Sequence, residues 1–173
     1  MADHMEHGFA LAGDRREAIG EAARLLADKL GAGRLTLATA ESCTGGLLGA
    51  ALTSVPGASE WYPGGVISYS NAVKMDLLGV GEDVLARCGA VSRECAAAMA
   101  EGVRGCIGAG IGIGITGIAG PGGGSVEKPV GTVWIGWSGP FGTETERFFF
   151  DGGRQEVREA SVLAALWGVL DLL

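Results

Sequence analysis

The sequence predicts an α/β protein: a single three-layer α/β/α domain built on a mixed β-sheet. Helix-type and strand-type segments alternate in the early part of the chain, the pattern of parallel strands joined by helices. Two strand-type runs then follow one another, GTVWIGWSG (131–139) and TETERFFF (143–150). The turn between them, Gly139-Pro140-Phe141-Gly142, suggests a hairpin and hence antiparallel pairing. No internal repeat or linker divides the 173 residues, enough for one domain with a full core.

The elements follow in order. Asp14 is placed to cap a helix running to about Leu30, with Ala18, Ala22, Leu25, Leu26 and Leu30 as its apolar stripe and Gly31 and Gly33 as its stop. RLTLATA (34–40) is a short β-type run, interrupted by ESCTGG (41–46), after which LLGAALTSV (47–55) reads as a helix broken by Pro56 and Gly57. A loop through Trp61, Tyr62 and Pro63 leads to the strand GVISYS (65–70) and the helix NAVKMDLLGV (71–80), capped by Ser70 or Asn71. GEDVLARCGA (81–90) forms a short helix, and Ser92 caps a longer one reaching about Cys106. Ile111, Ile113 and Ile115 alternate with glycine, which suggests a strand pressed against neighbouring backbone. An amphipathic helix from about Gly153 to Leu172 completes the domain, assigned to residues 13–173; the first 12 residues read as a flexible tail.

Composition narrows the function. A net charge of −7 argues against a nucleic-acid surface, which needs a basic face, but leaves room for a small anion held by a few donors. Cys43, Cys88, Cys95 and Cys106 show no C-x-x-C spacing, and the only histidines, His4 and His7, lie in the tail. A zinc site is therefore not expected, and the thiols read as buried and reduced. No apolar run is long enough to span a membrane, and MADHMEHGFALAG lacks the basic start of a signal peptide, so a cytoplasmic location is expected.

Five stretches could carry chemistry. The first, GIGITGIAGPGGGSVEKPVGT (112–132), contains the letters G-x-G-x-x-G, but Pro121 and further glycines follow where a dinucleotide site needs a helix. What remains is Thr116 at a strand end and, from Gly117 on, a glycine loop whose backbone can approach a ligand closely. In TAESCTGG (39–46), Ser42, Thr44 and the amides of Gly45 and Gly46 stand at a helix N-terminus, a setting for phosphate or carboxylate, or simply for a cap. In SYSNAVK (68–74), Tyr69 ends a strand and Lys74 lies one turn into a helix, where desolvation could make its amine a base. Ser-Lys pairs replace Ser-His-Asp in some hydrolases. The loop serine Ser59 in VPGASEWYPGG (55–65) reads, from the residues alone, as a turn residue, so Ser42 is the better nucleophile candidate on that basis. In DGGRQEVR (151–158), Arg154 could fork onto a phosphate, whereas Arg158 reads as solvated.

Taken together and in this order, these pieces resemble the CinA C-terminal-domain family, the nicotinamide mononucleotide (NMN) deamidases also called PncC. The matching stretches are TAESCTGGLLGAALTSVPGASEWYPGGVISYSNAVKMDLLGV, AVS at 90–92, GITGIAGPGGGSVEKPVGTVWIG and FDGGRQEVREASVLAALW. The resemblance implies an α/β/α fold, hydrolysis of NMN to nicotinic acid mononucleotide and ammonia, no metal or cofactor, and a homodimer or larger assembly. It suggests the stand-alone form, without the pyrophosphatase domain of some relatives. It also implies Ser59 as nucleophile, Lys74 as base and Tyr69 beside it, with Ser42, Thr44, Thr116 and Arg154 positioning substrate. A nucleotide-binding module without turnover, or an amidase for another carboxamide, are the alternatives.

Overall fold

The structure is a computed structural model describing residues 12–173, with side chains from residue 15 onward. Residues 1–11 of the proposed N-terminal tail lie outside the described residues, and its last residue, Ala12, begins the first helix. The elements are α1 (Ala12–Gly33), β1 (Leu37–Glu41), α2 (Leu47–Thr53), a 3₁₀ turn (Ala58–Glu60), β2 (Gly64–Ile67), α3 (Asn71–Leu78), α4 (Glu82–Cys88), α5 (Arg93–Ile107), β3 (Ile111–Gly117), β4 (Thr132–Gly139), β5 (Gly142–Phe149) and α6 (Arg154–Leu172). Helix α1 already contains Asp14, so that residue is not its cap, and it runs past Leu30 to Gly33.

The five strands form one sheet in the order β2-β1-β3-β4-β5. β1 pairs in parallel with β2 and β3, while β3–β4 and β4–β5 are antiparallel, so the mixed sheet and the hairpin are both present. Strand side chains alternate between faces. Leu37, Ile111, Ile113, Ile115, Val133 and Ile135 point to the layer formed by α1, α2 and α6. Ala38 and Ala40 point the other way, to Leu78, Cys95, Met99 and Val103 of α3 and α5. Three layers result, α/β/α. Trp137 Nε1–H donates to the Ala165 carbonyl at 2.9 Å, so this tryptophan of β4 enters the core with its polar atom satisfied.

The glycines of β3 explain how α5 sits. A Cβ on Gly114 would lie 2.6 Å from the Ala96 carbonyl oxygen, and one on Gly136 of β4 would lie 2.5 Å from the same atom. One on Gly112 would meet the Ala100 oxygen. The helix backbone lies directly on the strands, as the Ile-Gly alternation implied. Among the described residues no helix is long and apolar enough to cross a membrane.

Gly114→Ala should therefore lower stability by about 1–3 kcal/mol, the usual penalty of overpacking, read from the midpoint of chemical denaturation. An unchanged midpoint would mean that α5 can step away from the sheet at no cost.

Candidate active site

Because β1, β2 and β3 run parallel, their carboxyl ends meet at one edge of the sheet, where ligands of α/β proteins usually sit. The connections leaving them are pinned there: Ser42 N–H donates to the Ile115 carbonyl at 3.0 Å and Ser68 N–H to the Glu41 carbonyl at 2.8 Å. Ser70 then caps α3, its Oγ accepting from Val73 N–H at 3.2 Å. This start places Lys74 on the first turn, facing inward.

Lys74 is 1% exposed. Its Nζ donates to the Ser68 carbonyl at 2.6 Å and lies 3.0 Å from Ser42 Oγ, itself 8% exposed. Among the described residues no carboxylate pairs with it. Burial disfavours the ammonium and holds the amine below the ordinary lysine range, opposed only by the nearby Cys95 and Cys43 sulfurs. A neutral amine keeps one N–H on the Ser68 carbonyl and turns its lone pair to the Ser42 hydroxyl, which suits proton abstraction. Cys43 beside it is no rival nucleophile, because burial pushes its thiol up to about 12.

The Ser42–Lys74 pair lies at a cleft of about 280 Å³, also lined by Tyr69, Thr116, Arg154 and the glycine loop from Gly117 to Gly123. No carboxylate lines it. Thr116 Oγ1–H donates to the Ala90 carbonyl at 2.7 Å, tying β3 to the segment before α5. Arg154 bridges the mouth, donating to the Gly120 carbonyl at 2.8 Å and to the Tyr69 hydroxyl at 3.1 Å. The amides of Ala119, Gly120, Gly122 and Gly123 have no acceptor among the described residues. Among those residues no group of three or more His, Cys, Asp or Glu side chains is placed to hold a metal ion.

Six of the sequence-derived site residues thus converge: Ser42, Lys74, Tyr69, Thr116, Gly117 and Arg154. Four do not. Ser59 sits exposed in the 3₁₀ turn, and Leu37 N–H donates to the nearby Trp61 carbonyl at 2.8 Å. That contact fixes the turn at the amino end of β1, across the sheet from Lys74. Within one chain, Ser59 and Lys74 are not brought together, and Tyr69, engaged with Arg154, does not link them. The helix N-terminus after ESCTGG is also not open to a ligand. Glu41 fills it, its carboxylate accepting from the amides of Gly46 (3.0 Å), Leu48 (3.1 Å) and Gly49 (2.8 Å). Gly45 N–H turns back to the Ser42 carbonyl at 3.1 Å, and the Thr44 side chain is fully buried away from the cleft.

Three contributors were not anticipated from sequence. Glu41 was read only as part of a break, although an acid just before a helix start is a capping signal. The Ser68 carbonyl is a backbone group that no side-chain pattern reveals. Arg158, read as solvated, turns inward to the Thr44 carbonyl; its spacing of one turn from Arg154 was the available hint.

Known proteins place this geometry in context. A family model described as CinA C-terminal domain matches residues 20–173. The nicotinamide-nucleotide amidohydrolase PncC of Pseudomonas putida is 48% identical over 134 residues, covering 78% of this chain and 84% of that protein. A CinA-like protein of Syntrophotalea carbinolica is 46% identical over 158 residues, covering 91% of this chain. The chain spans about a third of the length of several curated relatives it matches, 37% in that case. Among solved structures, a competence-damaged protein (CinA) superfamily protein of Escherichia coli superposes with a TM-score of 0.88 at 35% identity, covering 100% of this chain and 99% of that one. A competence/damage inducible protein of Agrobacterium tumefaciens gives 0.87 at 42% identity, covering 90% and 95%.

The buried amine has a signature in stability. Its folded pKa lies below its unfolded value, so the unfolded chain binds more protons between the two and stability rises with pH across that window. Below the folded value the penalty is fully present. Lys74→Met lacks this contribution, so the native protein should gain stability relative to Lys74→Met as pH rises through the window. Denaturant midpoints of both proteins at neutral and alkaline pH measure this; a constant difference would mean that Lys74 is not desolvated.

Proposed function

The chain belongs to the CinA C-terminal domain family, and from that premise we propose that it is an amidohydrolase, hydrolysing the carboxamide of NMN to nicotinic acid mononucleotide and ammonia. The observation that carries the reading is the 3.0 Å approach of the Lys74 amine to Ser42 Oγ at a buried end of the cleft.

Ser42 Oγ attacks the carboxamide carbon as its proton passes to neutral Lys74. The oxyanion is held by the amide of Cys43, the residue after the nucleophile, a donor position worth roughly 3 kcal/mol in comparable sites. Lys74 returns the proton to the amide nitrogen, the C–N bond breaks and ammonia leaves an ester on Ser42. Water then attacks the ester, giving its proton to Lys74, and nicotinic acid mononucleotide departs as Ser42 regains its hydrogen. With Glu41 occupying the start of α2, the 5′-phosphate goes to the other wall, to Arg154 and the unpaired amides of the glycine loop. Anchoring there orients the amide over Ser42. A cytoplasmic homodimer or larger assembly accords with the family resemblance.

Ammonia release from NMN tests the reading. Ser42→Ala and Lys74→Met should each lower kcat by at least about a thousandfold, while Ser59→Ala stays near native. The reverse result, with Ser59 essential and Ser42 dispensable, would move the nucleophile to Ser59. Arg154→Ala should raise KM and narrow the preference for NMN over nicotinamide riboside. Since the neutral amine is the base, kcat/KM should fall as pH drops through the Lys74 value, with that limb below the ordinary 10.5.

A further inference from the structure

The turn that carries Ser42 is gripped at both ends by charged side chains that do not line the cleft. At one end the Glu41 carboxylate, 2% exposed, accepts from three amides of the first turn of α2. At the other end Arg158, reaching across from α6, donates to the Thr44 carbonyl through Nε at 3.2 Å and a terminal nitrogen at 2.7 Å. Arg158 is itself steadied by Gln155 Oε1 at 3.1 Å. After Thr44 come Gly45 and Gly46, both left-handed, with φ of 59° and 96°, and the second of them is itself held by Glu41. Two adjacent residues in that region make a soft hinge, which alone would let Ser42 drift.

We propose that Glu41 and Arg158 are positioning residues that together clamp the 42–46 turn and so keep Ser42 Oγ within reach of Lys74; the inference rests on the Ser42–Lys74 reading above. The chemistry of each grip is specific. A carboxylate offers acceptors on both oxygens, and Glu41 uses both. In Glu41→Gln, one oxygen becomes an NH₂ facing a backbone N–H, so an almost isosteric change breaks the grip. Arg158 delivers a planar fork to a single carbonyl. Lysine reaches the same oxygen with one point contact, so Arg158→Lys retains part of the hold and Arg158→Met none. A cap serving α2 alone has no need of Arg158, which joins a different helix to the residue two places after Ser42.

The test reads Ser42 directly and does not depend on the natural substrate. The full chain is treated with a small fluorophosphonate, the labelled residue is found by peptide mapping, and the labelling rate is followed by intact mass, with thermal midpoints recorded in parallel. The native protein should label at Ser42. Glu41→Gln and Arg158→Met should label about 10- to 100-fold more slowly, the scale of a misplacement near 1 Å. Arg158→Lys should fall between, and the midpoints should stay within a few degrees. In NMN hydrolysis the same variants should lose kcat while KM stays within about twofold, because the groups assigned to the phosphate are untouched. Labelling of both variants at the native rate would overturn the clamp, as would native labelling away from Ser42. If Glu41→Gln fails to fold, the Arg158 series alone decides. A native protein that labels at Ser42, with slowed variants, but releases no ammonia from NMN would overturn the proposed substrate and support the clamp.

Discussion

The arrangement depends on a lysine amine held away from water with no counter-ion. Lys74 Nζ touches a carbonyl and a hydroxyl, and neither compensates an ammonium as a carboxylate would. An isolated buried charge is costly, and the group relieves that cost by giving up its proton. The fold therefore favours the neutral form of this amine. The same desolvation that opposes the ammonium pushes the thiols of Cys43 and Cys95 up, to about 12 and about 11, so both stay protonated and inert. One dry environment thus favours the neutral amine and keeps its sulfur neighbours protonated.

The architecture provides that dryness. Three parallel strands end together, and α3 starts on a serine cap that points Lys74 inward. Across from it, glycines in β3 and β4 let α5 lie on the sheet backbone, bringing Cys95 and Met99 against the same layer as Ala38 and Ala40. The glycine loop after Gly117 forms the opposite wall, held to α6 by Arg154 at Gly120 and to α4 by the Lys128 ammonium on the Cys88 carbonyl at 2.8 Å. Packing, turn chemistry and pKa are thus one connected matter.

Much of this was legible in the sequence. Alternating segments and the Gly-Pro-Phe-Gly turn foretold the mixed sheet, and the Ile-Gly alternation of β3 foretold close backbone packing. The placement of Lys74 one turn into a helix after a strand end foretold a desolvated amine. The long-range partners were less visible. Ser42 stood as the better nucleophile candidate on residue chemistry, and resemblance transferred the role to Ser59; only the hydrogen bond tying the Ser59 turn to the start of β1 separates the two ends of the sheet. The glycine amides of ESCTGG looked open to phosphate because a sequence does not show that Glu41 folds back onto them. Arg158 looked solvated because its partner is a carbonyl 114 residues away.

The central claim is that the Lys74 amine gives up its proton at a lower pH than an ordinary lysine. The sequence contains only three lysines, Lys29, Lys74 and Lys128, so selective ¹⁵N labelling of lysine side chains gives a simple spectrum, assigned by Lys74→Met. Titration should show one amine, absent from Lys74→Met, losing its proton below the ordinary lysine value of 10.5. A Lys74 signal that titrates at 10.5 or above would contradict the account.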